Sequence, residues 1–168
     1  DDKVFDPQML DAVEVLTEQA WQMPYVLRVD SITNYQHTNA TDDDLIVADL
    51  VEGGVDFSPG MLKDVARVAT TEPALRDFLV AHEGHTTAVN VTFQMPQLSM
   101  DETPEAVAAA RTLATRLESE YGMDLHLTGM VMMNNAFFEM SMQDMGTMVP
   151  AMYLIIILVT LFLVRSVT

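Results

Sequence analysis

The sequence predicts an α+β domain that continues through a helical stem into a membrane-spanning helix. Three observations predict it. Helical and strand-like periodicities take turns over residues 1–129. Almost all of the charge lies in that stretch. Residues 148–164 then form an uncharged run of 17 residues, closed by Arg165. A bilayer core asks for roughly 20 apolar helical residues, with a range that starts near 17. In hydrocarbon every backbone N–H and C=O must be satisfied within the segment, so the run is expected to be helical, with Tyr153 and Arg165 as interfacial anchors.

The elements follow in order. Asp6-Pro7 reads as an N-cap followed by proline at the first helical position, and Met9, Val13, Leu16 and Ala20 recur at helical spacing until Trp21, with Pro24 as the stop. Residues 25–35 are rich in β-branched and aromatic side chains and set Leu27 and Val29 against Arg28 and Asp30, which predicts a strand. Residues 38–44 read as a polar loop. Residues 45–51 form a second apolar stretch, ended by Gly53-Gly54. Ser58-Pro59 opens a helix through Leu62, Val65 and Ala69, and Glu72-Pro73 opens another through Leu75, Phe78, Leu79 and His82. Residues 86–95 give the clearest alternation, Val89, Val91, Phe93 and Met95 against Asn90, Thr92 and Gln94. Thr103-Pro104-Glu105 starts the strongest helix, with Ala110, Leu113, Ala114, Leu117 and Tyr121 on one stripe and Gly122 at its C′ position. Leu125 and Leu127 predict a short closing strand. From about Met132 onward Gly146 and Pro150 are the helix-weakening residues, so one helix is expected to rise from the domain past Leu163, kinked at Pro150.

With one strand supplied upstream of Asp1, this order spells β-α-β, an insertion, and β-α-β. That is the split arrangement of a ferredoxin-like fold. The expected division is a ferredoxin-like domain over 1–129, a helical stem over 130–147 and a transmembrane helix over 148–165. Val89, Val91 and Phe93 are expected to be buried with Leu113, Leu117, Val13 and Leu16, because each element offers one apolar stripe. The abrupt Asp1-Asp2-Lys3 start, without a basic and apolar leader, is read as the start of a fragment.

Charge narrows the partners. Residues 1–128 carry 23 acidic and 7 basic residues, a net charge of −16. Such a surface repels phosphate backbones and anionic headgroups, so no nucleic-acid partner is expected. Arg165 at the far end of the apolar run points inward by the positive-inside tendency. The acidic domain is thereby expected on the periplasmic side of a bacterial inner membrane. Cysteine is absent, which removes disulfide frameworks, thiol catalysis and cysteine metal sites.

The residues also carry a resemblance. Phe5-Asp6-Pro7 is followed by Trp21-x-Met23-Pro24-Tyr25-Val26-x-Arg28-Val29-Asp30-Ser31-Ile32-Thr33-Asn34. Leu127-Thr128-Gly129, Asn134-Asn135-Ala136-Phe137 and a helix into Pro150 then close the pattern. Over nearly the whole chain this resembles exporters of the resistance-nodulation-division superfamily, in their MMPL-like branch. The resemblance implies a first periplasmic domain, the start of a second transmembrane helix, and proton-driven export of lipids or amphiphiles. The superfamily's proton-relay carboxylates lie on later helices, and no residue here matches them. Its domain opens on a strand that this chain lacks.

The constellations that invite chemistry are few. His82-Glu83-Gly84-His85 has good zinc-ligand types, but a helix ending at Gly84 would not hold i and i+3 on one face, and the spacing is not His-Glu-x-x-His. His37 and His126 are remote in sequence. Asp42-Asp43-Asp44 lacks the spacing and glycine of a calcium loop. Asp30, Ser31 and His37 lack a glycine-bounded nucleophile turn. No catalytic residue, cofactor or metal is expected. Methionine is the compositional oddity: 8 of the 14 methionines fall at or after Met130. Thioethers suit Cu(I), but they also suit adaptable packing against apolar ligands. Met133, Phe137 and Met140, with Asp144, fall near one helical face and are read as a contact for substrate or neighbouring domains. Glu139 and Asp144 are read as solvated at headgroup level.

The function expected is that of a piece of a proton-motive-force-driven exporter. Its partners would be the remaining transmembrane and periplasmic domains of the same transporter, membrane lipid, a hydrophobic substrate and an oligomer. The alternative is a single-span, membrane-anchored module that binds or senses a ligand outside the membrane. The first needs a helical bundle and the second needs one helix.

Overall fold

The computed structural model describes residues 3–40, 45–51 and 58–165. It divides into two units, 1–127 and 128–168. The first is a mixed α/β unit with two small sheets; the second is built on one long helix.

Local chemistry sets the helix ends of the first unit. After a short 3-10 turn over Lys3–Phe5, α1 spans Pro7–Ala20. Asp6 caps it by accepting from the Gln8 N–H at 3.0 Å, and Pro7 gives up only an N–H that the first turn leaves without an intrahelical partner. Ser58 does the same for α2 (Pro59–Thr71), accepting from Met61 at 3.3 Å. The third helix, α3 (Glu102–Tyr121), ends where Gly122 turns left-handed at φ 66°, its N–H donating to the Glu118 carbonyl.

The strands pair in two antiparallel ribbons. Strand β1 (Val26–Asp30) pairs with β4 (Asn90–Phe93), Val29 opposite Val91 and Asp30 opposite Asn90, with an irregularity between Val26 and Arg28. Strand β2 (Gln36–Ala40) pairs with β3 (Leu45–Asp49), His37 opposite Ala48. The predicted strand over 25–35 therefore ends at Asp30. A turn through Ser31 and Asn34 follows, and residues expected to be loop at 38–40 belong to β2. A strand with polar residues on both faces leaves no alternation to read, and the ladder to β3 is what makes it one. The strand expected over 86–95 is confined to Asn90–Phe93.

Residues 72–88 are the largest departure. They form turns in place of the predicted helix through Leu75, Phe78, Leu79 and His82. Asp77 sits at φ 62°, which ends helical propagation, and bridges join Val80 to Arg76 and to Thr87. Leu75, Leu79 and Val80 enter the core while Phe78 is 74% exposed. Gly84 is needed for a different reason from the one its sequence position implies. At φ 70°, a Cβ there would stand 3.1 Å from the Phe5 ring, so the turn and the N-terminal segment approach each other only over glycine. The closing strand expected at Leu125 and Leu127 is irregular chain among the described residues.

The core forms two clusters where one was expected. Leu113, Leu117, Ala20 and Val29 pack with Leu16, Val89 and Val91, largely as the periodicities require. Val13 belongs to the second cluster, with Val4, Leu10, Ile32, Ala69, Leu75, Leu79 and Val80. Phe93 enters neither, and Val89 touches both.

The second unit contains α4, Met130–Arg165, 36 residues without a break. At 1.5 Å per residue it is about 54 Å long, of which the uncharged run accounts for about half. It starts two residues before the expected Met132. Pro150 lies inside it and has no N–H to offer the Gly146 carbonyl. One turn earlier, the Thr147 hydroxyl donates to the Gln143 carbonyl at 2.8 Å.

Candidate functional site

The titratable motifs of the first unit are dispersed. His85 Nδ1 lies 3.6 Å from Glu83 Oε2, both side chains well exposed, and His126 is also exposed. Among the described residues no group of three or more His, Asp or Glu could hold a metal ion. Asp42-Asp43-Asp44 lies outside the described residues. A cleft of about 470 Å³ is lined by residues that include His37, Asp49, Leu50, Met61 and Asp64.

The segment around Ser31 is a structural knot. Ser31 is buried, its hydroxyl 2.8 Å from that of Thr33. Asn34 Oδ1 accepts from the Ser31 N–H at 2.8 Å, and Asn34 Nδ2 donates to the Val29 carbonyl at 2.8 Å. Thr17 on α1 joins through Thr33 at 3.3 Å and donates to the Val13 carbonyl at 2.6 Å. The run Ser31-Ile32-Thr33-Asn34 thus folds the chain out of β1 and ties it to α1, satisfying buried polar groups by each other. Asp30 is held by Arg28 at 2.6 Å. Periodicity alone does not reveal this knot; the small hydroxyl residues ahead of an asparagine are its signal.

The second constellation that sequence reasoning missed surrounds Glu102. This residue is 6% exposed, and its carboxylate accepts from three successive N–H groups, Gln97 at 2.8 Å, Leu98 at 2.7 Å and Ser99 at 3.1 Å. Burial is the largest single influence on its pKa and raises it. The three amides together outweigh burial and hold the carboxyl below its ordinary value. Nearby, the Tyr25 hydroxyl donates to Glu105 at 2.6 Å, which raises the Tyr25 pKa.

In the second unit, α4 sets out the residues expected to make contacts. Met133, Phe137 and Met140 stand at i, i+4 and i+7, and they are 49%, 65% and 65% exposed. Asn135 Nδ2 donates to Glu139 Oε1 at 2.8 Å. Beyond Pro150 the apolar side chains are all open, Ile155 at 59% and Phe162 at 77%. This helix is long and apolar enough to cross a membrane, and its most apolar stretch is not buried in the protein. An exposed surface of that kind is stable only in lipid or against other helices.

The sequence profile of the MMPL family matches residues 10–168, nearly the full chain and all of α4. The chain belongs to the MMPL family. No curated protein and no solved structure matches it. MMPL proteins are transporters, and the exposed apolar helix agrees with a membrane protein. In this MMPL chain Met133, Phe137 and Met140 share one exposed face of α4.

Proposed function

We propose that this chain is part of a proton-motive-force-driven exporter, in which the acidic unit faces the periplasm from a bacterial inner membrane and forms part of the path for lipids or other hydrophobic substrates. The observation that carries the reading is the MMPL family match running without interruption into a 36-residue helix with an open apolar surface. The α+β unit is read as ferredoxin-like. The antiparallel pairing of β1 with β4 supports this, since the central hairpin of such a fold has that pairing with the segment between the strands as an insertion. The packing of α1 and α3 about Leu113 and Leu117 supports it too. The reading requires a further strand ahead of α1 and a partner for residues 125–127.

In this scheme α4 joins the domain to the membrane bundle, so that movement of one is felt by the other. Met133, Phe137 and Met140 meet substrate or neighbouring domains, where flexible thioethers accommodate varied apolar shapes. The absence of cysteine makes sidedness simple to test. A single cysteine at Thr112, exposed on α3, in a cysteine-free full-length protein should react with a membrane-impermeant maleimide added to spheroplasts. Labelling only after lysis would reverse the orientation. Met133→Ala and Met140→Ala should change efflux of bulky apolar substrates. Lost Cu(I) tolerance with organic substrates untouched would assign the methionines to copper instead.

A further inference from the structure

The segment between β4 and α3 is fixed in a way that its own burial does not explain. Glu102 is sequestered and turned wholly to the amides of Gln97, Leu98 and Ser99. Gln97 stands at φ 61°, a conformation unfavourable for a residue with a side chain. Asp101 N–H donates to the Ser99 hydroxyl at 3.1 Å, which closes the turn. What this arrangement displays is apolar: Leu98 is 88% exposed and Met100 85%. A buried carboxylate and a strained backbone position thus hold two large hydrophobic side chains in water. Ordering a loop in advance removes the loop-ordering part of the entropy that docking would otherwise cost.

We infer that the Leu98–Met100 turn is a docking knob for another polypeptide, whose surface offers an apolar socket rimmed by Lys and Arg. Charge selects this occupant. The knob is flanked by exposed Asp101 and Glu105 on a unit of net charge −16. An anionic bilayer would be repelled. A second copy meeting it about a twofold axis would bring the same carboxylates face to face. A basic-rimmed socket satisfies both the apolar tip and its acidic collar.

The test is site-specific photo-cross-linking in the full-length protein in its native membrane. Benzoylphenylalanine placed at Leu98 or at Met100 should give adducts to one polypeptide segment, apolar with flanking Lys or Arg. An otherwise identical probe at Ser119, on the exposed face of α3, should not label that segment. Adduct yield should fall several-fold at molar salt, where screening is complete within a few ångströms, and likewise in Asp101→Lys. Glu102→Gln should lower the yield while leaving the protein folded, because it loosens the turn without removing the knob. Adducts to lipid acyl chains, to a second copy at the same turn, or scattered over many segments would overturn the inference, as would a yield indifferent to salt.

Discussion

Two carboxylates of the first unit are shifted by burial and by their neighbours in opposite net directions, and pH separates them. Glu102 is held below its ordinary value of 4.5 by three amide donors. A lowered folded pKa means a contribution to stability that is fully present above the unfolded value and is lost as the pH falls through the folded one. Protection of the amides of residues 97–99, taken relative to an unstructured peptide at the same pH, should therefore persist above the unfolded carboxylate value and fall as the pH drops through the lowered folded one. In Glu102→Gln, that protection should be weaker at neutral pH and change little in acid. Glu14 goes the other way: burial first, then repulsion from Glu18 and Asp11, raises its pKa. Its raised folded value makes the contribution favourable in acid and lost as the pH rises through it. Glu14→Gln should accordingly raise the melting temperature at neutral pH and bring no gain near pH 4. Gly84 tests a steric point. Gly84→Ala adds a Cβ at 3.1 Å from Phe5 and keeps a left-handed backbone, so it should destabilise the fold by about 1–2 kcal/mol, read by thermal melting.

At the scale of elements, the helices were legible where capping chemistry and periodicity agreed. Asp6-Pro7, Ser58-Pro59 and Gly122 each mark an end that the structure keeps to within a residue. Leu117, fully buried between α3 and the β1–β4 ribbon, is the test of that packing; Leu117→Ala should cost about 2–5 kcal/mol in denaturant unfolding. Residues 72–88 misled because Leu75, Phe78, Leu79 and His82 repeat at helical intervals. The spacing arises there from turns that send Leu75 and Leu79 inward and leave Phe78 out, and a left-handed Asp77 is invisible to periodicity. Strand β2 was missed for the opposite reason, since Gln36, Thr38 and Asn39 give no apolar face and only the ladder to β3 defines it. That Met133, Phe137 and Met140 share one side of α4 could be read in advance because a single regular helix preserves sequence spacing. The Glu102 turn could not, since three amides converging on one carboxylate depend on backbone geometry that no side-chain pattern encodes. Within α4, Pro150 denies the Gly146 carbonyl an N–H, and Gly146 itself has open space at its Cβ position. Pro150→Ala should restore that hydrogen bond and stiffen the helix, visible as slower amide exchange over 146–152.

For the whole molecule, a chain of the MMPL family carries an acidic α+β unit and, after it, one long methionine-rich helix with an open apolar surface. A strongly acidic unit is repelled by anionic headgroups. The same chain as a mere anchor would need neither the family's pattern from residue 10 through α4 nor a stem of exposed methionines. The proposed activity of the full-length protein is export of hydrophobic compounds coupled to proton movement. It is tested most directly by reconstituting that protein into proteoliposomes with an imposed pH gradient and following a fluorescent hydrophobic substrate. Transport is expected to begin with the gradient, to stop when an uncoupler is added, and to be altered in Met133→Ala and Met140→Ala. Substrate movement that is absent with the gradient in place, or that continues unchanged after the uncoupler, would contradict it.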